Sequence, residues 1–267
     1  MRVLWISDGK PGHENQVLGL LERMGEITDL SIKKIAPVPL FWGIRDALSA
    51  DAPTYDFVIA AGRRTHTSLW WLGYLYRIPR VVVMRPSGLG HGASLRIIPE
   101  HDGVQGNDYT HRTRGPMNRV RASDNPSDHP VAVIGGISKH FQWDDESIYQ
   151  QLMTWLDAHP TARVLDSRRT PTLLSSQLQT QLGDQFIHWK DSQTGQLASL
   201  MAEASAIWVT PDSASMVFEA WSTNAQVTLA QLPANNTRVA RAVIQGEPDM
   251  RPLNEAHRAA VWLLSKL

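Results

Sequence analysis

Residues 206 to 220 have the sequence AIWVTPDSASMVFEA, in which a short apolar run is followed by a polar turn and a second, mostly apolar segment. The first run predicts a buried strand, and Asp212 or Ser213 supplies an N-cap for a following helix. In an open parallel sheet, such a helix presents unpaired N–H groups and partial positive charge at the carboxyl end of the strand, where ligands bind. The stretch therefore predicts an anion site, although an ordinary capped helix has the same pattern.

The predicted helix also places a carboxylate close to the expected anion. Ser215 and Glu219 are four residues apart and so share one helix face. A carboxylate one turn beyond an anion site is able to accept hydrogen bonds from ribose hydroxyls. The alternative is an exposed glutamate on a solvated surface.

Strand, loop and helix alternate through the rest of the chain, which predicts parallel sheets with right-handed crossovers. The expected strands are 2–6, 29–35, 57–61, 80–84, 95–98, 131–134, 162–165, 185–189, 206–209 and 226–230. The expected helices are 14–24, 41–49, 65–76, 144–158, one opening at 170–171, 195–204, 235–245 and 254–266. A polar segment with two prolines separates the halves. We therefore expect an α/β fold of two Rossmann-like, doubly wound domains facing a cleft: domain 1–121, linker 122–130 and domain 131–267.

Composition excludes several classes of function. The 267 residues include 26 basic and 26 acidic side chains, so no overall field favours nucleic acid, and any anion site must be local. The absence of cysteine excludes disulfides, thiolate zinc sites and cysteine nucleophiles. The apolar start is too short for a secretory signal, and no apolar run reaches membrane-spanning length. We expect a cytoplasmic protein, with peripheral contact to the inner membrane as a further option.

Several short motifs occur in the order found in one known family. They are DGK at 8–10, GHENQ at 12–16, GRRTH at 62–66, PEHD at 99–102, GG at 135–136 with SKH at 138–140, RRTP at 168–171, and DS at 212–213 with SM at 215–216. Over nearly its whole length the chain resembles the bacterial proteins related to the plant mitochondrial-fission factor of the elongated-mitochondria (ELM) type. The resemblance implies a glycosyltransferase fold of the two-domain GT-B type.

The chain also resembles, more distantly, the N-acetylglucosaminyltransferase that makes the lipid-linked peptidoglycan precursor. That enzyme has a glycine-rich loop ending in Gly-His after its first strand, a strand followed by Gly-Gly-Ser, and a serine-containing turn followed by Glu-Ala. This chain departs from it at Lys10-Pro11, which interrupts the glycine loop. It departs from the ELM-type family at RPSGLGHG, residues 85–92, where that family has an acidic segment.

The two resemblances imply a nucleoside-diphosphate sugar as substrate, bound by the second domain. The glycine pair would let the backbone approach the diphosphate, while serine hydroxyls and one lysine contact phosphate and Glu219 contacts the ribose. The expected donor-binding residues are Gly135, Gly136, Ser138, Lys139, Arg168, Ser213, Ser215 and Glu219. Trp189 ends a strand near the expected base pocket, although a buried tryptophan is usually core.

The first domain would supply the base and contact the acceptor. His13 has a side chain suited to accepting a proton at neutral pH, with Asp8 and Glu14 as rival bases and a structural role as the alternative. Arg63 and Arg64 at a helix start suggest an anionic partner such as an acceptor phosphate, with a solvated pair as the alternative. The residues expected at the acceptor or phosphate are Gly9, Gly12, Arg63 and Arg64.

No metal or other cofactor is expected. The run Glu100-His101-Asp102 lacks the spacing of a metal site and indicates a structural hydrogen-bond cluster. The two resemblances together imply a metal-independent glycosyltransferase with an unknown acceptor, for which a lipid-linked molecule is one option. Two alternatives stay open: a nucleotide-sugar epimerase on the same fold, and a non-catalytic interaction protein that binds a partner through Trp70 and Trp71.

Overall fold

The computed structural model describes residues 1–44, 53–125, 127–193, 195–248 and 252–267. These residues form two compact α/β units, each built on a parallel sheet. The first unit contains Met1–Arg119 and Asn254–Leu267, and the second contains Val120–Leu253. The predicted fold class is confirmed.

The first unit has a sheet of six described strands in the order β2-β1-β3-β4-β5-β6, all parallel. Its elements are β1 (Arg2–Ile6), α1 (Pro11–Ile27), β2 (Ser31–Ile35), β3 (Phe57–Ala61), α2 (His66–Leu75), β4 (Arg80–Val83), β5 (Leu95–Pro99) and β6 (Thr110–Thr113). The short polar strand β6 was not predicted. The expected helix 41–49 lies largely outside the described residues.

The second unit has a parallel sheet of five described strands in the order β11-β10-β7-β8-β9. Its elements are β7 (Val131–Val133), α3 (Asp145–Ala158), β8 (Arg163–Leu165), α4 (Thr172–Leu182), β9 (Phe186–Ile187), α5 (Gln196–Glu203), β10 (Ala206–Val209), α6 (Ala214–Trp221), β11 (Gln226–Leu229) and α7 (Arg238–Gln245). The strand and helix predicted in residues 206 to 220 are therefore β10 and α6.

The last helix, α8 (Glu255–Leu264), belongs to the first unit. Its buried face, Ala256, Ala259, Ala260 and Leu263, joins the core formed by α1 and the first sheet. The predicted domain 131–267 is therefore wrong at its carboxyl end. The amphipathic period of a helix identifies the face that is buried, but not the sheet that covers it.

Strand order determines where ligands can bind in each unit. The direction of winding reverses between β1 and β3 in the first sheet and between β7 and β10 in the second. Loops that leave the carboxyl ends of strands diverge at such a switch point and leave a crevice. The loops after these four strands contain most of the predicted site residues.

Within the described residues, no helix combines the length and apolarity needed to cross a bilayer.

Candidate functional site

A pocket of about 410 Å³ lies beside the loops that follow β7 and β10 in the second unit. Four predicted donor-binding residues line it: Ser138, Lys139, Ser213 and Ser215. Helix α6 begins at its edge, so the helix N-terminus adds partial positive charge. The structure thus brings these four residues together at the predicted anion site.

Asp212 holds the loops around this pocket in place. Its side chain is only 1% exposed, and Nη2 of Arg169 lies 2.7 Å from Oδ2. Thr210 donates its hydroxyl to Oδ1 at 2.6 Å, and the Gly136 N–H donates to Oδ2 at 3.0 Å. Ser213 is the N-cap residue of α6, and its side chain makes no capping hydrogen bond. Asp212 therefore joins three loops instead of capping the helix.

The two glycines after β7 are required for packing between loops. A Cβ atom on Gly135 would lie 2.2 Å from Oδ1 of Asp212, and one on Gly136 would lie 2.0 Å from the carbonyl oxygen of Arg169. The Gly135 N–H donates to the Thr210 hydroxyl at 2.7 Å, and the Gly136 N–H donates to Asp212. Neither glycine is among the residues that line the pocket. Both N–H groups therefore have partners within the unit, and the approach of a diphosphate to this backbone stays a prediction.

The charge in the pocket is positive near neutral pH. Asp212 compensates Arg169, while Lys139 is exposed on the pocket wall. Burial lowers the pKa of His140, and the positive charges of Lys139 and Arg169 lower it further. Nδ1 of this imidazole lies 3.0 Å from the Thr237 hydroxyl. His140 is therefore neutral at pH 7, and Lys139 is the main source of positive charge for a bound anion.

Arg168 lines a different pocket, of about 530 Å³, together with Phe186, His188, Trp189 and Lys190. The adjacent Arg169 lines the first pocket instead. Successive residues in a loop point in different directions, and the sequence did not indicate which arginine faces which pocket. Trp189, which was expected near the nucleobase, is half-buried at this second pocket.

A buried carboxylate that was not predicted from the sequence organises the second pocket. The Asp166 side chain is fully buried and accepts hydrogen bonds from the Ser175 hydroxyl, from Nδ1 of His188 at 2.8 Å and from the Trp189 N–H at 2.6 Å. Ser175 lies on the Nδ1 side of the imidazole, whereas a serine nucleophile would have to contact Nε2. Asp166 and Ser175 therefore orient His188, and the three side chains do not form a nucleophilic triad.

Glu219 is half-buried one turn further along α6, and it lines neither of these two pockets. Its contact with a ribose stays a prediction.

In the first unit, Asp8 orients His13. Nδ1 of the imidazole lies 3.0 Å and 3.1 Å from the two carboxylate oxygens, and the Asp8 side chain is 2% exposed. Burial alone would raise the pKa of Asp8, but hydrogen bonds from His13 and from the Lys10 N–H outweigh it and hold that pKa below its ordinary value. The ionised carboxylate accepts a hydrogen bond from Nδ1–H, and in that tautomer of the neutral imidazole the free lone pair is on Nε2.

Gly62 makes this arrangement possible. Its φ is +90°, and a Cβ atom there would lie 2.3 Å from Nδ1 of His13. The glycine thus lets the end of β3 approach the imidazole closely. Gly62 is the first residue of the GRRTH motif, and this role for it was not predicted from the sequence.

Glu14, the other rival base, has a structural role. Nζ of Lys34 lies 2.6 Å from its carboxylate, and the Ser7 hydroxyl also donates to it. The Lys34 ammonium and then the Ser7 hydroxyl lower the pKa of Glu14. An ionised carboxylate with these two partners is a poor proton acceptor.

The loop after β1 is short, because α1 already begins at Pro11. Gly9 has a φ of +74°, and Gly12 lies in the first turn of α1; a Cβ atom on either would meet nothing within 4 Å. Arg63 and Arg64 form an exposed 3₁₀ turn before α2, and neither has a carboxylate within 4 Å in the described part of the chain. They remain available to an anion.

The cluster predicted at residues 100–102 is only partly present. Glu100 forms an exposed ion pair with Arg112 at 3.5 Å, while Nδ1 of His101 is buried without a hydrogen-bond partner. Burial lowers the pKa of His101. Among the residues described, no group of three or more His, Cys, Asp or Glu side chains is placed to hold a metal ion.

Comparisons with solved structures show the fold. S. aureus MnaA, in a co-structure with UDP, matches with 13% identity and a TM-score of 0.53 over 100% of this chain and 97% of that chain. UDP-GlcNAc 2-epimerase from Neisseria meningitidis, bound to UDP-GlcNAc, matches with 10% identity and a TM-score of 0.57 over 99% of both chains. Acinetobacter baumannii MurG matches with 13% identity and a TM-score of 0.46 over 99% of this chain and 91% of that chain.

No curated protein matches the chain significantly. The family model described as mitochondrial fission ELM1 matches residues 11–267, which is nearly the whole sequence. The chain therefore belongs to the mitochondrial fission ELM1 family.

Proposed function

We propose that this protein is a glycosyltransferase that moves a sugar from a nucleoside-diphosphate donor to an acceptor hydroxyl without a metal cofactor. The pocket of about 410 Å³ carries the proposal, because it gathers Ser138, Lys139, Ser213 and Ser215 at the N-terminus of α6. Serine hydroxyls, an ammonium group and a helix N-terminus form a combination suited to a diphosphate.

In this proposal the second unit binds the donor. Lys139 and the N-terminus of α6 stabilise the negative charge that develops on the diphosphate as its bond to the sugar breaks. The second pocket, with Trp189 and His188, takes the nucleobase, and Arg168 at its wall contacts the nucleotide. Support for this assignment comes from the fold shared with the Neisseria meningitidis enzyme, whose structure contains UDP-GlcNAc.

The first unit supplies the base. The acceptor oxygen forms a bond to the anomeric carbon, and its proton passes to Nε2 of His13. Asp8 keeps the proton of the imidazole on Nδ1, so it is a positioning residue in the proposal. Arg63 and Arg64 directly follow Gly62 in the sequence, and both side chains are exposed. In the proposal they contact a phosphate of the acceptor.

A thermal-shift screen tests the donor site directly. The wild-type protein is incubated with a panel of nucleoside diphosphates and their sugars, since a ligand at a hundred times its dissociation constant stabilises by about 2.7 kcal/mol. Lys139→Ala should reduce the shift, while Lys266→Ala, a matched change of an exposed lysine in the first unit, should keep it. If no nucleotide shifts the folded wild type, the donor site is refuted and a non-catalytic interaction protein is favoured.

The proposed base is tested by transfer kinetics. His13→Ala should slow sugar transfer by about 100-fold to 10,000-fold, the usual contribution of a general base, and should keep the donor-induced thermal shift. Asp8→Asn should slow transfer less, because its amide oxygen still accepts from Nδ1. Equal transfer rates in His13→Ala and the wild type would remove His13 from the reaction.

A nucleotide-sugar epimerase is the second candidate, favoured by the TM-score of 0.57 with the Neisseria meningitidis epimerase. An epimerase converts the nucleotide sugar without any acceptor. Incubation with the donor alone, followed by analysis of the sugar stereochemistry, separates the two: a new epimer with an intact diphosphate bond identifies the epimerase.

A chelator should leave transfer unchanged under the first proposal.

A further inference from the structure

One face of the first unit carries an exposed aromatic patch. It is formed by the segment Leu40, Phe41 and Trp42 together with Trp70 and Tyr74 of α2. Phe41 is 71% exposed and Tyr74 is 65% exposed. Exposed apolar side chains that cluster on one face usually mark a surface that contacts something other than water.

The patch is held in place by a buried neighbour, Trp71. The Trp71 ring meets Phe41 edge to face at 5.4 Å between centroids, and its Nε1 donates to the carbonyl oxygen of Trp42 at 2.9 Å. Trp70 stacks on Tyr74 at 6.0 Å. Contacts within the unit therefore position the rings of Phe41, Trp70 and Tyr74 at the surface.

Tyr74 also lines a cavity of about 490 Å³, whose other lining residues include Arg77 and Arg80. The stem of Arg80 crosses α2 at Gly73, where a Cβ atom would lie 2.2 Å from its Cγ. Nε of Arg80 is buried and has no hydrogen-bond partner. Arg77 is exposed and has a positive φ of 53°.

Neither Arg77 nor Arg80 is paired with a carboxylate of the described residues. In the ranges that the structure describes, neither guanidinium has an acidic oxygen within 4 Å. Since the chain as a whole has no net charge, this pair is a local positive site beside an aromatic patch. Tyr74 belongs to both features and makes them one surface.

We propose that this face docks on the surface of an anionic phospholipid bilayer. Tryptophan and tyrosine favour the membrane interface, where the ring is apolar and its polar atom remains hydrated. Unpaired arginines beside them attract anionic headgroups. A bilayer surface has two layers that match this face. The aromatic side chains fit the boundary of the acyl chains, and the arginines fit the layer of phosphates. The proposal does not depend on the reaction at the donor site.

The test is sedimentation of the full chain with vesicles at low salt. The wild type should sediment with vesicles of phosphatidylcholine and phosphatidylglycerol in equal parts, and much less with phosphatidylcholine alone. Arg77→Ala with Arg80→Met, which keeps the packed stem, should weaken binding to the anionic vesicles by roughly five-fold for each arginine. Phe41→Ser with Tyr74→Ser should weaken binding by roughly ten-fold.

Matched controls change equally exposed side chains elsewhere. Tyr109→Ser replaces a tyrosine that is also 65% exposed, and Arg241→Ala replaces an exposed arginine of the second unit. Both should bind vesicles as the wild type does, and thermal unfolding confirms that each variant is folded. No sedimentation of the wild type, or equal losses in patch and control variants, would overturn the proposal. So would a patch variant that binds vesicles normally but changes its oligomeric state in analytical ultracentrifugation.

Discussion

Arg169 and Asp212 form an ion pair with unequal exposure: Nη2 lies 2.7 Å from Oδ2, and the arginine side chain is 40% exposed whereas the aspartate side chain is 1% exposed. The carboxylate also accepts hydrogen bonds from the Thr210 hydroxyl and the Gly136 N–H. The two residues therefore contribute differently to stability, although they contact each other.

Removal of Asp212 should lower the free energy of unfolding much more than removal of Arg169. Asp212→Ala leaves the Gly136 N–H and the Thr210 hydroxyl without their buried acceptor, at a cost of about 2 to 3 kcal/mol. Arg169→Ala leaves the carboxylate with both of these donors and should cost about 0 to 1 kcal/mol. Urea unfolding of both variants measures the difference. Equal costs would show that the arginine, and not the buried donors, stabilises Asp212.

The local structure of this region was predictable, but the role of Asp212 was not. The apolar run and polar turn of residues 206 to 220 determine β10 and α6 within a few neighbours along the chain. The partner of Asp212 at Gly136 lies 76 residues away and is brought close only by the pairing of β7 with β10. A sequence pattern contains no information on that distance. The same limit placed α8 in the wrong unit.

Gly62→Ala should destabilise the first unit and disturb His13. The φ of +90° is strained for alanine by about 1 to 3 kcal/mol, and the new methyl group would meet the imidazole. Gly25→Ala is the matched control, because its Cβ atom would meet nothing within 4 Å. Since Gly25 lies within α1, that change should be neutral or stabilise by up to about 1 kcal/mol. Thermal unfolding of both variants checks this prediction, and equal midpoints would contradict it.

Acid should destabilise the protein in two separate steps. Burial lowers the pKa values of four histidines, His66, His101, His111 and His140. Between about pH 6.5 and pH 5 the unfolded chain therefore binds more protons than the folded one, and stability falls as the pH falls. The pKa values of Asp8 and Glu14 are also lowered in the folded protein. Their contribution to stability is present above the ordinary carboxyl pKa and is lost as the pH falls below about 4.

The first step can be measured through a single histidine. His111 stacks on Trp262 at 5.3 Å, and its Nε2 is buried without a partner. His111→Phe removes the titrating group and keeps an aromatic ring there. The unfolding midpoint of this variant should fall less between about pH 6.5 and pH 5 than that of the wild type. Parallel curves for the two proteins would show that His111 does not contribute.

The position of the candidate site in the fold was predictable, but the pocket that each of its residues faces was not. Serine and lysine side chains after β7 and β10 could be assigned because the carboxyl ends of neighbouring parallel strands meet at one edge. Arg168 and Arg169 are adjacent, so only the loop conformation decides which of them faces each pocket. Asp166 and His188 were missed because their contact joins two strand ends 22 residues apart.

Glu219→Ala should distinguish a ribose contact from a phosphate contact. If Glu219 accepts hydrogen bonds from the ribose, its loss weakens nucleoside diphosphate binding by about 1 to 3 kcal/mol, because ligand hydroxyls lose their partner. Inorganic diphosphate has no ribose, so its affinity should be unchanged. Lys139→Ala should weaken the binding of both ligands, since in the proposed site its charge contacts the phosphates. Isothermal titration of the wild type and both variants with the two ligands gives six affinities. Equal losses for both ligands in Glu219→Ala would mean that this carboxylate only supports α6.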